Sequence, residues 1–258
     1  MKRGFVLAGL ILLLSACAQQ GARPADPRTD LDANEAERRS AMRIELAGGY
    51  LARGQYNIAL DEVKQALQLK PDSREGLNLR ALILAGMGEH AAAEEGFRRT
   101  LALYPNDADT LHNLGWYHCQ LKQWGPASAR FDEALAQTNY RAPARTWLAK
   151  GVCEQRAERL EQAERSLMRA FELDPGNPVV SQSLADVLLQ ARQYDRARFY
   201  VARVNGKDEL RSPQSLWLAT RIEHRLANRL GVTEWGQRLL REFPQSAEAE
   251  AYRGGRFE

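Results

Sequence analysis

Five alanines, Ala59, Ala93, Ala127, Ala163 and Ala197, stand 34, 34, 36 and 34 residues apart, and no other feature of the 258-residue sequence limits its fold as tightly. Twelve residues before each lies another small residue: Ala47, Ala81, Gly115, Gly151 and Ala185. Four residues after each comes an apolar one: Val63, Phe97, Phe131, Leu167 and Val201. Two small positions separated in this way fit a pair of antiparallel helices that cross closely, where a larger side chain would push them apart, with the apolar residue one turn further along the same face. Any single window could belong to a generic helical core. A globular bundle has no reason to reuse the spacing five times.

Thirty-four residues is the period of the tetratricopeptide repeat, a helix-turn-helix unit that stacks into a superhelix. The chain is read as all-α, a tetratricopeptide-repeat superhelix of about six units, at approximately 40–73, 74–107, 108–143, 144–177, 178–211 and 212–246. Pro71, Pro105 and Pro175 close units one, two and four, and the Ser, Asp or Asn that follows is placed to cap the next helix. Unit three carries two extra residues in "LAQTNYRAPARTW", read as a longer loop, and unit five runs into the turn-forming "NGKDELRSPQS". Unit six needs a one-residue slip to fit and is expected to cap the array.

The first residues have a different logic. Lys2 and Arg3 precede an apolar or small stretch from Gly4 to Leu14, followed by Ser15, Ala16 and Cys17. That is a secretory signal layout, too short to span a bilayer, which takes about 20 apolar residues. Leu14-Ser15-Ala16-Cys17 resembles the bacterial lipobox, which implies that residues 1–16 are a lipoprotein signal peptide and that Cys17 is the lipidation site. An ordinary secretory signal with an incidental cysteine is the alternative. The resemblance further implies an anchor of several acyl chains. With Ala18 rather than aspartate after the cysteine, it implies the periplasmic face of the outer membrane. Residues 17–39, polar and carrying Pro24 and Pro27, read as a flexible tether, and 40–258 as the repeat domain. Loss of Lys2 and Arg3 leaves 34 basic against 33 acidic residues, a near-neutral chain without the electrostatic footprint of a nucleic-acid binder.

Catalytic and metal signatures are missing from the sequence. His90, His112, His118 and His224 show no ligand spacing, and no glycine-rich phosphate loop, nucleophile elbow or kinase motif occurs. The expectation is a non-enzyme with no metal and no cofactor beyond the covalent lipid on Cys17. Cys119 and Cys153 fall at unequal positions of adjacent units, on helices whose axes should lie about 8 to 10 Å apart, so free thiols are expected despite an oxidising compartment.

Stacked helix pairs offer an extended face to a peptide or partner helix. Resemblance to the repeat family places the groove at positions 2, 5, 9, 12 and 13 of each unit. Unit two then supplies Glu75, Asn78 and Leu82, unit three Asp109, His112, Trp116 and Cys119, and unit four Arg145, Leu148, Val152, Gln155 and Arg156. Asn78, Leu82, His112, Trp116, Leu148, Val152 and Gln155 are the candidate binding set. Trp116 is the candidate anchor, against the alternative that it packs between repeats.

A lipobox, a short tether and six such units, with runs such as "LAGGYLARGQYNIALDEVKQALQLKPDS" and "LADVLLQARQYDRARFYV", resemble the type IV pilus biogenesis lipoproteins, the pilotin group called PilF or PilW. The resemblance implies a monomeric outer-membrane scaffold whose partner is the pilus secretin, which it helps to reach the membrane and multimerise. A scaffold of another envelope machine, for outer-membrane protein assembly or peptidoglycan hydrolase recruitment, is the alternative.

Overall fold

Thirteen α-helices follow one another in the computed structural model, which describes residues 30–257. They are α1 (Asp30–Ala52), α2 (Tyr56–Leu69), α3 (Arg74–Gly86), α4 (His90–Leu103), α5 (Ala108–Gln120), α6 (Trp124–Leu135), α7 (Pro143–Arg156), α8 (Leu160–Leu173), α9 (Pro178–Gln190), α10 (Tyr194–Asn205), α11 (Pro213–Arg225), α12 (Arg229–Glu242) and α13 (Ala247–Arg253), with a 3-10 turn at Asp208–Leu210. Among the described residues there is no strand, and no helix is long and apolar enough to cross a membrane. Cys17 and the signal segment lie outside the described residues.

Packing follows the alanine register. Ala47, Ala59, Ala81, Ala93, Ala127, Ala163, Ala185 and Ala197 are fully buried, as are Val63, Phe97, Phe131 and Leu167. The two glycines of the series stand where a side chain has no room: a Cβ on Gly115 would come within 2.8 Å of the Phe131 ring, and one on Gly151 within 2.6 Å of Leu167. The buried side chains form separate clusters strung along the chain, each shared by neighbouring helix pairs. A linear array held by nearest neighbours has this form, where a single globule would share one core.

The expected caps are present. Ser73 accepts from the Gly76 amide at 3.2 Å, Asp107 from Thr110 at 3.0 Å, and Asn177 from Val179 and Val180 at 3.0 and 3.4 Å, so each, two residues beyond its proline, leads in a new first helix. Inside each pair the turn needs one left-handed residue. Glycine supplies it at Gly54 and Gly88 (φ 70° and 79°), whereas later turns use Lys122, Glu158, Arg192 and Ala227 at φ between 55° and 60°. The step from Arg192 to Ala227 is 35 residues, as is that from Pro178 to Pro213, which places the one-residue slip before α11.

Two details differ from the sequence reading and one, the long loop, extends it. Helix α1 begins at Asp30 and takes in residues 30–39 of the stretch read as tether. That segment is rich in Ala, Glu and Arg with no breaker after Pro27, and it docks on α2 through the Glu37–Lys70 ion pair and the Ser40 hydroxyl, which donates to the Ala66 carbonyl at 3.0 Å. The long loop of unit three is pinned by Tyr140, which packs beside Ala108, Leu111 and Ala134 and bonds Thr146 at 2.6 Å. The cap of the array is α13 rather than unit six: Ala249 is fully buried beside Leu216 and Leu239, and Tyr252 covers Gly236, whose absent side chain makes the room.

Candidate protein-binding groove

Successive odd-numbered helices touch one another from α1 to α13, and successive even-numbered helices do not pack to any comparable extent. The odd helices therefore follow the shorter radius of the curve and line its inner face. Polar bonds tie them across that face. Asn113 donates to Asn78 at 3.2 Å, Arg145 to Asp109 at 2.7 Å, Gln155 to Asp186 at 2.6 Å and Gln214 to Glu248 at 2.9 Å.

The seven candidate residues do not form one surface. His112 is buried, with its Nδ1 2.8 Å from the Thr146 hydroxyl and its ring 5.9 Å from Phe131, so it joins two units and is closed to a partner. Burial pushes its pKa down to about 4, and the nearby Arg145 guanidinium adds to the effect. Leu82 and Leu148 are half-buried, packed against clusters of their own and neighbouring units. Asn78 is half-buried and engaged with Asn113. Trp116 packs on the Cys119, Ala127, Phe131 and Cys153 cluster between units three and four, and Arg156 lies over its ring at 5.0 Å.

Cys119 and Cys153 form a disulfide, contrary to the expected free thiols, with Cα atoms 5.8 Å apart. The expectation failed because it set an interaxial distance against a Cα distance. Helices with axes about 8 to 10 Å apart carry Cα atoms about 2.3 Å from each axis, so facing residues approach to about 3.5 to 5.5 Å. Cys153 stands two places before the register equivalent of Cys119, which is Gln155, and the two side chains meet at that offset.

Val152 and Gln155 belong to an open cleft of about 420 Å3 further along the inner face, which also involves Val179, Gln182, Asp186, Trp217 and Arg221. These residues of α9 and α11 are absent from the candidate set, although the signal for them is the same. Thirty-four residues after Arg145, Leu148 and Val152 come Val179, Gln182 and Asp186, and 35 later, with the slip, come Gln214, Trp217 and Arg221. The outer side has its own cleft of about 620 Å3 between α6, α7 and α8, where Lys150 is paired with Asp132 and Glu154 accepts from Ser166 at 2.6 Å. Burial there raises the Glu154 pKa. Among the described residues no three His, Cys, Asp or Glu side chains gather as a metal set.

Family models for the tetratricopeptide repeat match residues 44–108 and 155–215. Type IV pilus assembly protein PilF of Pseudomonas aeruginosa is 28% identical over 255 residues, covering 96% of this chain and 98% of that protein. Among solved structures, that of PilW, described as a widely conserved type IV pilus biogenesis factor, superposes with a TM-score of 0.74 at 28% identity over 82% of this chain and 97% of its own. The structure of Pseudomonas aeruginosa PilF gives 0.71 at 26% over 87% and 99%.

Proposed function

Because the chain is a tetratricopeptide-repeat protein related over nearly its whole length to the type IV pilus proteins PilF and PilW, we propose that it serves type IV pilus biogenesis as a protein-binding scaffold and acts as the pilotin for the secretin. Cys17 carries the lipid that holds it at the periplasmic face of the outer membrane. The inner face of the odd helices, with Asn78, Trp116, Val152 and Gln155 on it, takes a segment of the secretin. The observation that carries this reading is the end-to-end match with PilF, which leaves 2% of that protein uncovered and so is not explained by a shared repeat alone.

Location and recognition should fail separately. Replacing Cys17 with Ser leaves the repeat array able to bind but removes the protein from outer-membrane fractions, with the secretin misplaced or unassembled. The measurement is heat-resistant secretin multimer in outer-membrane fractions of wild-type, Cys17→Ser and deletion strains. Normal multimers in the deletion strain would sink the pilotin reading and leave a scaffold of another envelope machine.

A further inference from the structure

Of the twelve arginines from residue 178 onward, half make an ion pair or a side-chain hydrogen bond among the described residues. Arg198 grips Glu223 with two nitrogens at 2.8 and 2.7 Å, Arg196 pairs with Glu164 at 2.5 Å, and Arg211 pairs with Glu242 at 3.2 Å. Arg192, Arg221 and Arg225 belong to the other half and are set apart by their position. Among the described residues none of the three makes an ion pair or a side-chain hydrogen bond. They converge on one cleft of about 490 Å3, completed by Leu189, Gln190 and Tyr194, with no carboxylate in its wall. Arg221 stands in the walls of both this cleft and the groove beside Trp217. Its Nε is shut off from solvent and has no acceptor. A guanidinium N–H in that state is short of a partner, since buried donors are nearly always satisfied.

The carboxylates of the adjoining groove are bonded to neutral donors. Asp186 accepts from both Gln155 and Gln190, at 2.6 and 3.0 Å, and Glu248 accepts from Gln214. We propose that the inner face over α9 and α11 binds an extended acidic segment of a partner protein, with one carboxylate on Arg221, flanking acidic groups on Arg192 and Arg225, and an apolar side chain against Trp217.

A peptide fits better than an anionic headgroup. Arg221, which stands in both walls, joins the arginine cleft to a groove lined by the amides of Gln155, Gln182 and Gln214, the hydroxyl of Ser183 and the amide-bonded carboxylates of Asp186 and Glu248. Such groups, acceptors as well as donors, serve both the N–H and the C=O of an extended main chain, which repeats about every 3.3 Å, whereas a phosphate uses only the donors. Guanidinium and carboxylate form paired, charge-assisted bonds that give orientation as well as strength. This inference rests on the reading that the inner face holds a protein segment.

The test is an array of synthetic 12-residue peptides, in matched sets that differ only by Glu, Gln or Lys at fixed places. It is probed with the full chain in detergent, beside phosphatidylglycerol vesicles and inorganic phosphate. Wild type should retain Glu peptides about tenfold or more over their Gln partners, and Arg221→Gln should abolish that preference. The double variant Arg192→Gln/Arg225→Gln changes two exposed side chains. It should keep the wild-type melting temperature while losing several-fold in affinity and most of the salt dependence. Absence of a Glu preference in wild type overturns the proposal, as does a preference that survives removal of all three arginines. Vesicle binding that needs the arginines, without peptide discrimination, gives the site to a membrane surface and also overturns it. A failure here with normal dependence of secretin multimers on the protein sinks only the acidic cleft. A Glu preference with normal multimers in the deletion strain sinks only the pilotin reading.

Discussion

Units three and four and units five and six place the same register positions on the inner face and use them to different extents as ties. Around α5 and α7 the side chains face each other: His112 bonds Thr146, Asp109 pairs with Arg145, Arg156 covers Trp116, and Cys119 is joined to Cys153. Around α9 and α11 the ties are fewer, Gln155 to Asp186 and Gln214 to Glu248 with Trp217 stacked on Phe257 at 5.6 Å, and Arg192, Arg221 and Arg225 are without partners among the described residues. The difference teaches that the repeat register fixes where a residue stands and leaves open what it does. A groove position becomes a tie when the next odd helix presents a matching group at the right offset, and a contact for others when it does not.

The largest expected test of this contrast is covalent. Replacing Cys119 and Cys153 with Ser opens a loop of 34 residues, which in the chain-entropy account costs about 3 to 4 kcal/mol. Amide hydrogen exchange should then show α5 to α7 losing protection while α9 to α13 keep theirs, because repeats support mainly their neighbours. Uniform loss along the chain would erase the distinction between tied and open units.

The next test is pH. An ordinary histidine titrates near 6.5, and His112 is held down to about 4. Between these values the unfolded chain takes up a proton that the folded chain refuses. Stability contributed by neutral His112 is thus complete above about pH 6.5, falls by about 3 kcal/mol as the pH drops to about 4, and levels off below that. Denaturant titrations at stepped pH should show this fall. In His112→Leu, which installs the residue that unit four has at Leu148, the contribution of this site should vanish and leave a flatter profile. An unchanged slope would place the acid-sensitive contact elsewhere and weaken the case for a sealed junction at units three and four.

The smallest effect separates close packing from open surface within one unit. Gly115→Ala pushes a methyl into Phe131 and should cost about 1 to 3 kcal/mol. Gly125→Ala, on an exposed turn of α6 with nothing near the new carbon, should gain up to about 1 kcal/mol. Chemical denaturation of the two variants gives the comparison, and equal midpoints would deny that the small residues of the register are there for close helix crossing.

The fold was legible because its determinants are local and recur. Ala59 and its equivalents, the Ser73, Asp107 and Asn177 caps and the prolines each act within a few residues, and repetition separates them from chance. The groove was legible only as a list of addresses. His112 reads as a contact residue until Thr146 is seen opposite it, and the offset that sets which residue of the next odd helix stands opposite is not written at either position. The same offset brings Cys153 to Cys119 in place of Gln155. Val179, Gln182, Asp186, Trp217 and Arg221 were within reach of the same arithmetic carried two units further. The unmet charge of Arg192, Arg221 and Arg225 was not, since a sequence does not say which arginines have found carboxylates.

A stack of helix pairs that touch only in series behaves mechanically as a coil spring, each pair turning slightly on the next when the ends are drawn apart. The bond between Cys119 and Cys153 welds the third and fourth coils. Under load such a spring extends in the coils on either side of the weld and keeps the middle rigid. The welded block transmits tension as a bar would, and the bend available for wrapping or releasing a partner is confined to the free coils beyond it, where the unpaired arginines lie.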